Sequence, residues 1–270
     1  MYSNLRVLAL MVIVILAFSR AAWPSEDQPH PIWWSPSMDL ESLDLIDERL
    51  ERTFSTNPAD GIPVIKGEEP GDARAFINSC ATYDQLTDEG YYAKYNNDMQ
   101  VLMYNTSLCR AIEMLRDAKP SEESHVNKII FDMDFLNYLP AIVNPSPSCD
   151  YLCRQYAANE RRIPWYDFEV AHFLSVDVEN DYRMKVTTDT EILTLEGLAR
   201  ADFNGDGLED LLLRVTAGAI GGTWGTTRLY LLSRETPHSV LWALAADKHL
   251  CRRYQCENYY TYPPALREND

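Results

Sequence analysis

The sequence predicts an α+β protein with an N-terminal helical region, a C-terminal antiparallel sheet and stabilising disulfides. Apolar residues recur at helical spacing before about residue 168, and short alternating segments rich in Thr and Val follow it. Six cysteines are present, and the hydrophobic and charged contents, 46% and 24%, are ordinary for a globular protein. We therefore divide the 270-residue chain into a signal peptide (1–22), a mainly helical region (23–167) and an antiparallel β region (168–270).

The first 22 residues have the order of a secretory signal peptide. Arg6 precedes an apolar run over residues 7–18, and Ala21 and Ala22 provide small side chains for cleavage. The run is 12 residues long, whereas a membrane-spanning helix needs about 20. We expect a periplasmic or secreted protein with no stable membrane anchor after signal removal. A retained anchor is the less favoured alternative.

The net charge of the chain is strongly negative, at −17. Such a surface repels nucleic acid, which we therefore exclude as a partner, and it attracts cations and basic protein surfaces. A basic protein is accordingly a candidate partner. The alternative is that the charge serves only to keep an exported protein soluble.

The cysteines indicate disulfides, because their number is even and the expected compartment is oxidising. Spacing alone does not determine the connectivity. The simplest pattern is three local bridges: Cys80 with Cys109, Cys149 with Cys153, and Cys251 with Cys256. A zinc site formed by the last four cysteines is the alternative, but the spacings C-x3-C and C-x4-C are looser than those of the usual zinc knuckles.

Helices are predicted at five places in the N-terminal region. The first opens at Ser35-Pro36, because Ser caps free amides and Pro suits the first helical turn. The other four are predicted over residues 72–87, 97–118, 120–140 and 149–161.

Four or five antiparallel strands are predicted between residues 168 and 250. They are expected within residues 184–195, 211–215, 227–233 and 239–244, and a glycine-rich connection spans residues 218–225.

An acidic loop over residues 202–210, with the sequence DFNGDGLED, carries the clearest chemical signal. Calcium takes about six to eight oxygen ligands, and alternating oxygen side chains along a tight loop can supply several at once. Gly205 and Gly207 permit the positive φ angles that such a loop needs. An acidic turn without metal is the alternative, since Asn-Gly and Asp-Gly are common turn formers. The candidate ligands are the side chains of Asp202, Asn204, Asp206 and Asp210 and the carbonyl of Leu208.

This nine-residue form between two predicted strands resembles the calcium loop of FG-GAP repeats, as in integrin α-chain propellers. It departs from the helix–loop–helix calcium pattern, because its twelfth position is Leu213 and not Glu. The resemblance covers about residues 198–216 and implies the same five ligands around one structural Ca²⁺ ion. A propeller needs several repeats and this chain has one, so the propeller fold is not implied.

Two functional hypotheses remain open at the level of sequence. The chain has no G-x-S-x-G elbow, phosphate-binding glycine loop or His-Glu-x-x-His motif. We therefore favour a non-enzymatic exported protein that binds another protein, in the manner of an inhibitor or immunity protein. The alternative is an exported hydrolase that uses acidic residues as general acid and base, with calcium as a structural support. No catalytic residue and no organic cofactor is assigned.

Overall fold

A computed structural model describes residues 29–54, 61–67, 73–126, 131–145, 149–168 and 174–246. These residues form helices and a mostly antiparallel sheet, which confirms the α+β class. The predicted signal peptide and the last pair of cysteines lie outside the described residues. No helix in the described part of the chain combines the length and apolar character needed to cross a bilayer.

Within the described ranges the main sheet has seven strands. Six of them follow one another as an antiparallel meander. The first described strand, β1 (Trp33–Trp34), pairs with β6 (Glu191–Ala201). β7 pairs with one edge of β6 along its whole length, so β5 and β1 share the other edge. β5 pairs with the first half of that edge, and β1 pairs with Ala199 and Arg200, beyond a bulge after Gly197. The strands of this sheet are β1 (Trp33–Trp34), β4 (Ser175–Asn180), β5 (Arg183–Thr187), β6 (Glu191–Ala201), β7 (Asp210–Ala219), β8 (Gly225–Ser233) and β9 (Trp242–Ala246).

Helices precede most of the sheet, but the N-terminal region is less helical than the sequence predicts. The described α-helices are α1 (Ile46–Glu51), α2 (Cys80–Asp88), α3 (Asn96–Leu115), α4 (Cys149–Glu160) and α5 (Trp165–Phe168). A separate hairpin joins β2 (Ile62–Lys66) to β3 (Ala73–Ile77). Short 3-10 turns lie at Pro36–Met38, Leu43–Leu45, Asp134–Asn137 and Ala141–Val143.

Two of the helix predictions are confirmed and the others need correction. The helices over residues 97–118 and 149–161 are present as α3 and α4. The predicted helix over 72–87 begins only at Cys80, because residues 73–77 pair with β2 and Ser79 forms a capping box with Thr82. The predicted first helix is reduced to two 3-10 turns and α1.

The predicted helix over residues 120–140 is wrong. The backbone at its start pairs with the acidic loop, and the described residues nearer its end form only the 3-10 turn Asp134–Asn137. Some of its apolar residues are nevertheless buried: Val126, Phe135 and Leu136 belong to a core cluster with residues of the sheet, whereas Met133 is 53% exposed. The pattern therefore identified core residues but not the local conformation.

Alternation along the strands places a hydrophobic cluster on each face of the main sheet. On one face, α3 packs Leu108 and Ile112 among Leu212 and Leu229. On the other face, Leu213 and Val215 lie among apolar residues of the chain between α3 and α5. The sheet is thus a central layer covered on both sides.

A third cluster joins the β2–β3 hairpin to α2 and α3. Within it, Cys80 and Cys109 form a disulfide with a Cα–Cα distance of 5.5 Å, so this predicted bridge is confirmed. The side chains of Cys149 and Cys153 lie outside the described residues, and the bridge predicted between them stays a prediction.

Candidate metal centre

The acidic loop connects two long, buried strands of the main sheet. β6 ends at Ala201 and β7 begins at Asp210, so the candidate ligands lie between the strands or at the first residue of β7. Gly205 and Gly207 have φ angles of 83° and 86°, in the region that favours glycine. The curled backbone predicted from the two glycines is therefore present.

Asp202 organises the first half of the loop. Its residue is only 5% exposed, and its two carboxylate oxygens accept the amides of Gly205 at 2.6 Å and Gly207 at 3.0 Å. These bonds fold the loop back over the side chain of Asp202. A carboxylate oxygen that accepts one amide retains lone pairs for a further donor or a cation.

Asn204 and Asp206 lie on the exposed rim of the loop. Asn204 Oδ1 accepts the amide of Asp206 at 2.9 Å, and Asp206 Oδ1 accepts the amide of Leu208 at 2.8 Å. Asn204 Nδ2 also donates to Asp206 Oδ2 at 2.9 Å. Both side chains are therefore turned towards loop donors in this arrangement.

Asp210 is the buried member of the set. It has no exposed surface, and its Oδ2 accepts the amide of Phe203 at 3.1 Å. Its Oδ1 is buried and has no hydrogen-bond partner among the described residues. The pKa of Asp210 is raised to about 7, chiefly by burial and to a smaller extent by the charges of Asp206 and Asp202, although the nearby Ser233 hydroxyl and the hydrogen bond from the Phe203 amide lower it.

The arrangement fits a hard cation in its donor chemistry, but the side chains are not gathered into a closed cage. Within the described part of the chain, no three His, Cys, Asp or Glu side chains converge as metal ligands. The reason is local, because the carboxylates of Asp202 and Asp206 face loop amides. The observation in favour of a cation is the buried, unpartnered Oδ1 of Asp210, since a buried carboxylate oxygen needs a proton, a donor or a metal.

A neighbouring segment, residues 119–124, holds the loop from outside, and we call it the strap. Lys119 and Asp202 exchange both backbone hydrogen bonds, at 3.0 and 2.9 Å. The amides of Glu122 and Glu123 both donate to the Gly207 carbonyl, at 2.8 and 3.1 Å. Sequence reasoning missed the strap because it assigned this segment to a helix.

The strap also reaches the end of the loop next to Asp210. The amide of Glu209 donates to the Glu123 carbonyl at 2.8 Å, and the Ser124 hydroxyl donates to Glu209 Oε2 at 2.5 Å. Glu209 is buried, so this bond satisfies a carboxylate that would otherwise lie unpaired beside the candidate ligands. Strap and loop thus form one hydrogen-bonded unit.

A second polar cluster, also missed from sequence, lies within the sheet. Glu196 on β6 and Arg214 on β7 are cross-strand neighbours, both almost fully buried, with Nη2 to Oε2 at 2.6 Å. Arg214 also donates to the Tyr104 hydroxyl at 2.9 Å, and its guanidinium carbon lies 3.9 Å from the centre of the Tyr104 ring. The available signal was a charged residue in the middle of each apolar strand. Through Tyr104, this buried ion pair joins α3 to the sheet.

Comparison with known proteins returns no matching family model, no matching curated protein and no matching solved structure. The likeness of the acidic loop to FG-GAP calcium loops therefore stays a prediction from the loop residues themselves.

Proposed function

We propose that this chain is an exported calcium-binding protein that holds one structural Ca²⁺ ion between β6 and β7. The observation that carries the proposal is the fully buried Asp210 carboxylate, whose Oδ1 lacks a partner in the described structure. The proposed ligands are the side chains of Asp202, Asn204, Asp206 and Asp210 and the carbonyl of Leu208.

The electrostatics of the loop support a divalent cation. Asp202, Asp206 and Asp210 lie within one short connection, and the pKa of Asp210 is raised chiefly by its burial and to a smaller extent by the charges of Asp206 and Asp202. In the metal-free protein Asp210 therefore keeps its proton up to about pH 7. Calcium would take the place of that proton and neutralise the repulsion among the carboxylates.

A structural ion at this position would fasten the β6–β7 connection and, through it, the strap. A ligand that binds only the folded state stabilises it by mass action, by about 2.7 kcal/mol when free calcium is about 100 times the Kd. Millimolar calcium outside cells would make such a gain available to an exported protein. The Cys80–Cys109 disulfide supports an oxidising compartment.

Titration calorimetry with calcium chloride tests the site directly. We expect heat from a single site and a rise in melting temperature for the wild-type protein, and both should be lost in Asp206→Ala. The matched control is Asp181→Ala, which removes an exposed acidic residue from the β4–β5 turn. Absence of heat and of a melting-temperature gain in the wild type would reject the calcium site.

For the role of the protein, we infer the binding of a basic protein surface, as an inhibitor or immunity protein does. The net charge of −17 supports this role, because complementary charge accelerates association with a basic partner. Affinity purification from the native host at low salt should retain a basic protein that high salt releases. Retention of no specific protein, or retention that is indifferent to salt, would count against the inference.

A further inference from the structure

We propose that the outer edge of β4 is a docking site for an extended basic segment of another protein, which joins the main sheet as a further strand. This inference rests on the basic-partner role proposed above and adds the surface that the partner contacts and the conformation that it adopts. It does not depend on calcium.

The two outermost strands of the main sheet, β4 and β9 in the described ranges, differ in how their edges are covered. At β9, the side-chain amide of Asn159 on α4 takes the place of a neighbouring strand. Asn159 Nδ2 donates to the Ala243 carbonyl at 3.3 Å, and Asn159 Oδ1 accepts the Ala243 amide at 3.2 Å. Asn159 is only 2% exposed, so the backbone of Ala243 is not available to another molecule.

The edge of β4 has no such cover among the described residues, where β4 pairs only with β5. Along an antiparallel strand, residues whose backbone groups point to the neighbour alternate with residues whose groups point away. All of β4 except Val176 is exposed. An open edge of this kind is a template for the addition of a strand from another chain.

The side chains along this edge alternate between apolar and acidic. Val176 packs against the core, whereas Leu174 and Val178, which alternate with it, are 63% and 53% exposed. Asp177 and Glu179 are exposed on the opposite face of the strand. Exposed apolar side chains are what a protected edge avoids, so the pattern favours a docking edge.

Charge selects a basic occupant for this edge. Residues 174–181 include acidic side chains and no Lys or Arg. Asp177 forms no ion pair in the part of the chain that the structure describes, and Glu179, which pairs with Arg183 at 2.8 Å, is still 44% exposed. Opposite charges on neighbouring strands stabilise their pairing. The segment that fits therefore places Lys or Arg beside the two acids and apolar residues beside the valines.

A second copy of β4 is a poor occupant of the same edge. An antiparallel pairing that matches the two faces brings Asp177 and Glu179 opposite the acids of the other copy, and like charges directly opposite destabilise a sheet. A shift of one residue instead places valines opposite acids. The net charge of −17 also opposes self-association.

Titration calorimetry of the purified protein with two synthetic peptides tests strand addition. The probe is Lys-Val-Lys-Val-Lys-Val-Lys, and the control of equal charge is Lys-Pro-Lys-Pro-Lys-Pro-Lys. We expect the control to bind at least about tenfold more weakly, because proline lacks the amide that a strand donates. Equal binding of the two peptides would show that only net charge is recognised and would overturn the inference. Absence of binding by the probe would overturn it too.

Two double variants locate the binding site. Asp177→Asn/Glu179→Gln should weaken binding of the alternating peptide by about fivefold or more, because two cross-strand charge pairs are lost. Asp88→Asn/Glu89→Gln removes the same charges from the exposed end of α2. This control should change affinity by less than about twofold at physiological salt, where distant charges are screened. Equal losses in the two variants would contradict docking at β4.

Hydrogen exchange identifies the strand that the peptide joins. The alternating peptide should slow exchange at amides of β4 in the wild type, while the amides of β9 should be unchanged, because Asn159 covers that edge. Slowing confined to any other strand would overturn the inference. Protection of the β4 amides in the absence of peptide, together with a dimer in sedimentation, would show that a second copy occupies the edge.

Affinity purification from the native host separates failure of this inference from failure of the basic-partner role. A basic protein retained by the wild type should be retained much less by Asp177→Asn/Glu179→Gln. Equal retention by both proteins would reject the β4 edge and leave the role intact. Retention of no basic protein by the wild type would reject the role, and the inference with it.

Discussion

Asp210 stands at the first residue of β7, with its side chain buried beside Ser233 and the amide of Phe203. Its pKa is raised from 3.8 to about 7, chiefly by burial. Between these two values the folded state binds a proton that the unfolded state has released. The contribution of Asp210 to stability is therefore fully present below about pH 4 and is lost as pH rises towards 7.

We therefore predict that metal-free protein becomes less stable between about pH 4 and pH 7 relative to Asp210→Asn. The variant keeps the shape of the side chain but cannot ionise, so it lacks this pH-dependent loss. Urea unfolding at several pH values after metal removal measures the difference between the two proteins. A difference that does not change with pH would contradict the raised pKa of Asp210.

The Glu196–Arg214 pair makes a separate prediction about stability. Arg214→Met leaves Glu196 as a buried carboxylate without its partner, which should cost about 3–5 kcal/mol of unfolding free energy. The double variant Glu196→Leu/Arg214→Met should recover much of that loss, because no buried charge remains. Urea denaturation of both variants measures the recovery. A single variant as stable as the wild type would show that the pair is not buried as described.

Among the elements, α3 was predictable and the strap was not, for one physical reason. The 20 residues of α3 carry their own apolar face, so local periodicity is sufficient to identify the helix. The strap takes its backbone partners from residues 202–209 and from His30, and partners so distant in sequence leave no local signal. β3 was missed for a different reason, because its pairing with the nearby strand β2 overrides a weak helical pattern.

The β2–β3 hairpin and its helices depend on the Cys80–Cys109 disulfide, which spans 29 residues. A bridge that closes a loop of this length stabilises a protein by about 3–4 kcal/mol in the chain-entropy model. Replacement of both cysteines by Ala should lower the free energy of unfolding by at least about that amount, as measured by urea denaturation. Calcium affinity should stay unchanged, because the bridge lies in a different cluster from the loop. A loss of calcium binding together with stability would show that the two regions are coupled.

At the scale of the whole molecule, the class and the candidate ligand loop were predictable, while the topology was not. The apolar run from Leu211 to Val215 indicates a strand, and the structure buries both of its faces. The sequence DFNGDGLED identifies the loop between this strand and β6. The sequence does not reveal that the two-residue strand β1 pairs with β6, since two residues are too few to show a period. Nor does it reveal that Glu196 and Arg214 meet across the sheet, because cross-strand register is a property of the assembled fold.

The place of β1 has a consequence for how the chain reaches its final form. Trp33 and Trp34 pair with Arg200 and Ala199, and the amide of Ser35 donates to the Leu198 carbonyl at 2.7 Å. β1 therefore cannot pair with β6 until most of the chain has been synthesised. A contact between residues so distant in sequence also forms slowly. During that interval the C-terminal half of β6 presents unpaired amides and carbonyls on one edge. A strand from another molecule could then pair with this edge in place of β1.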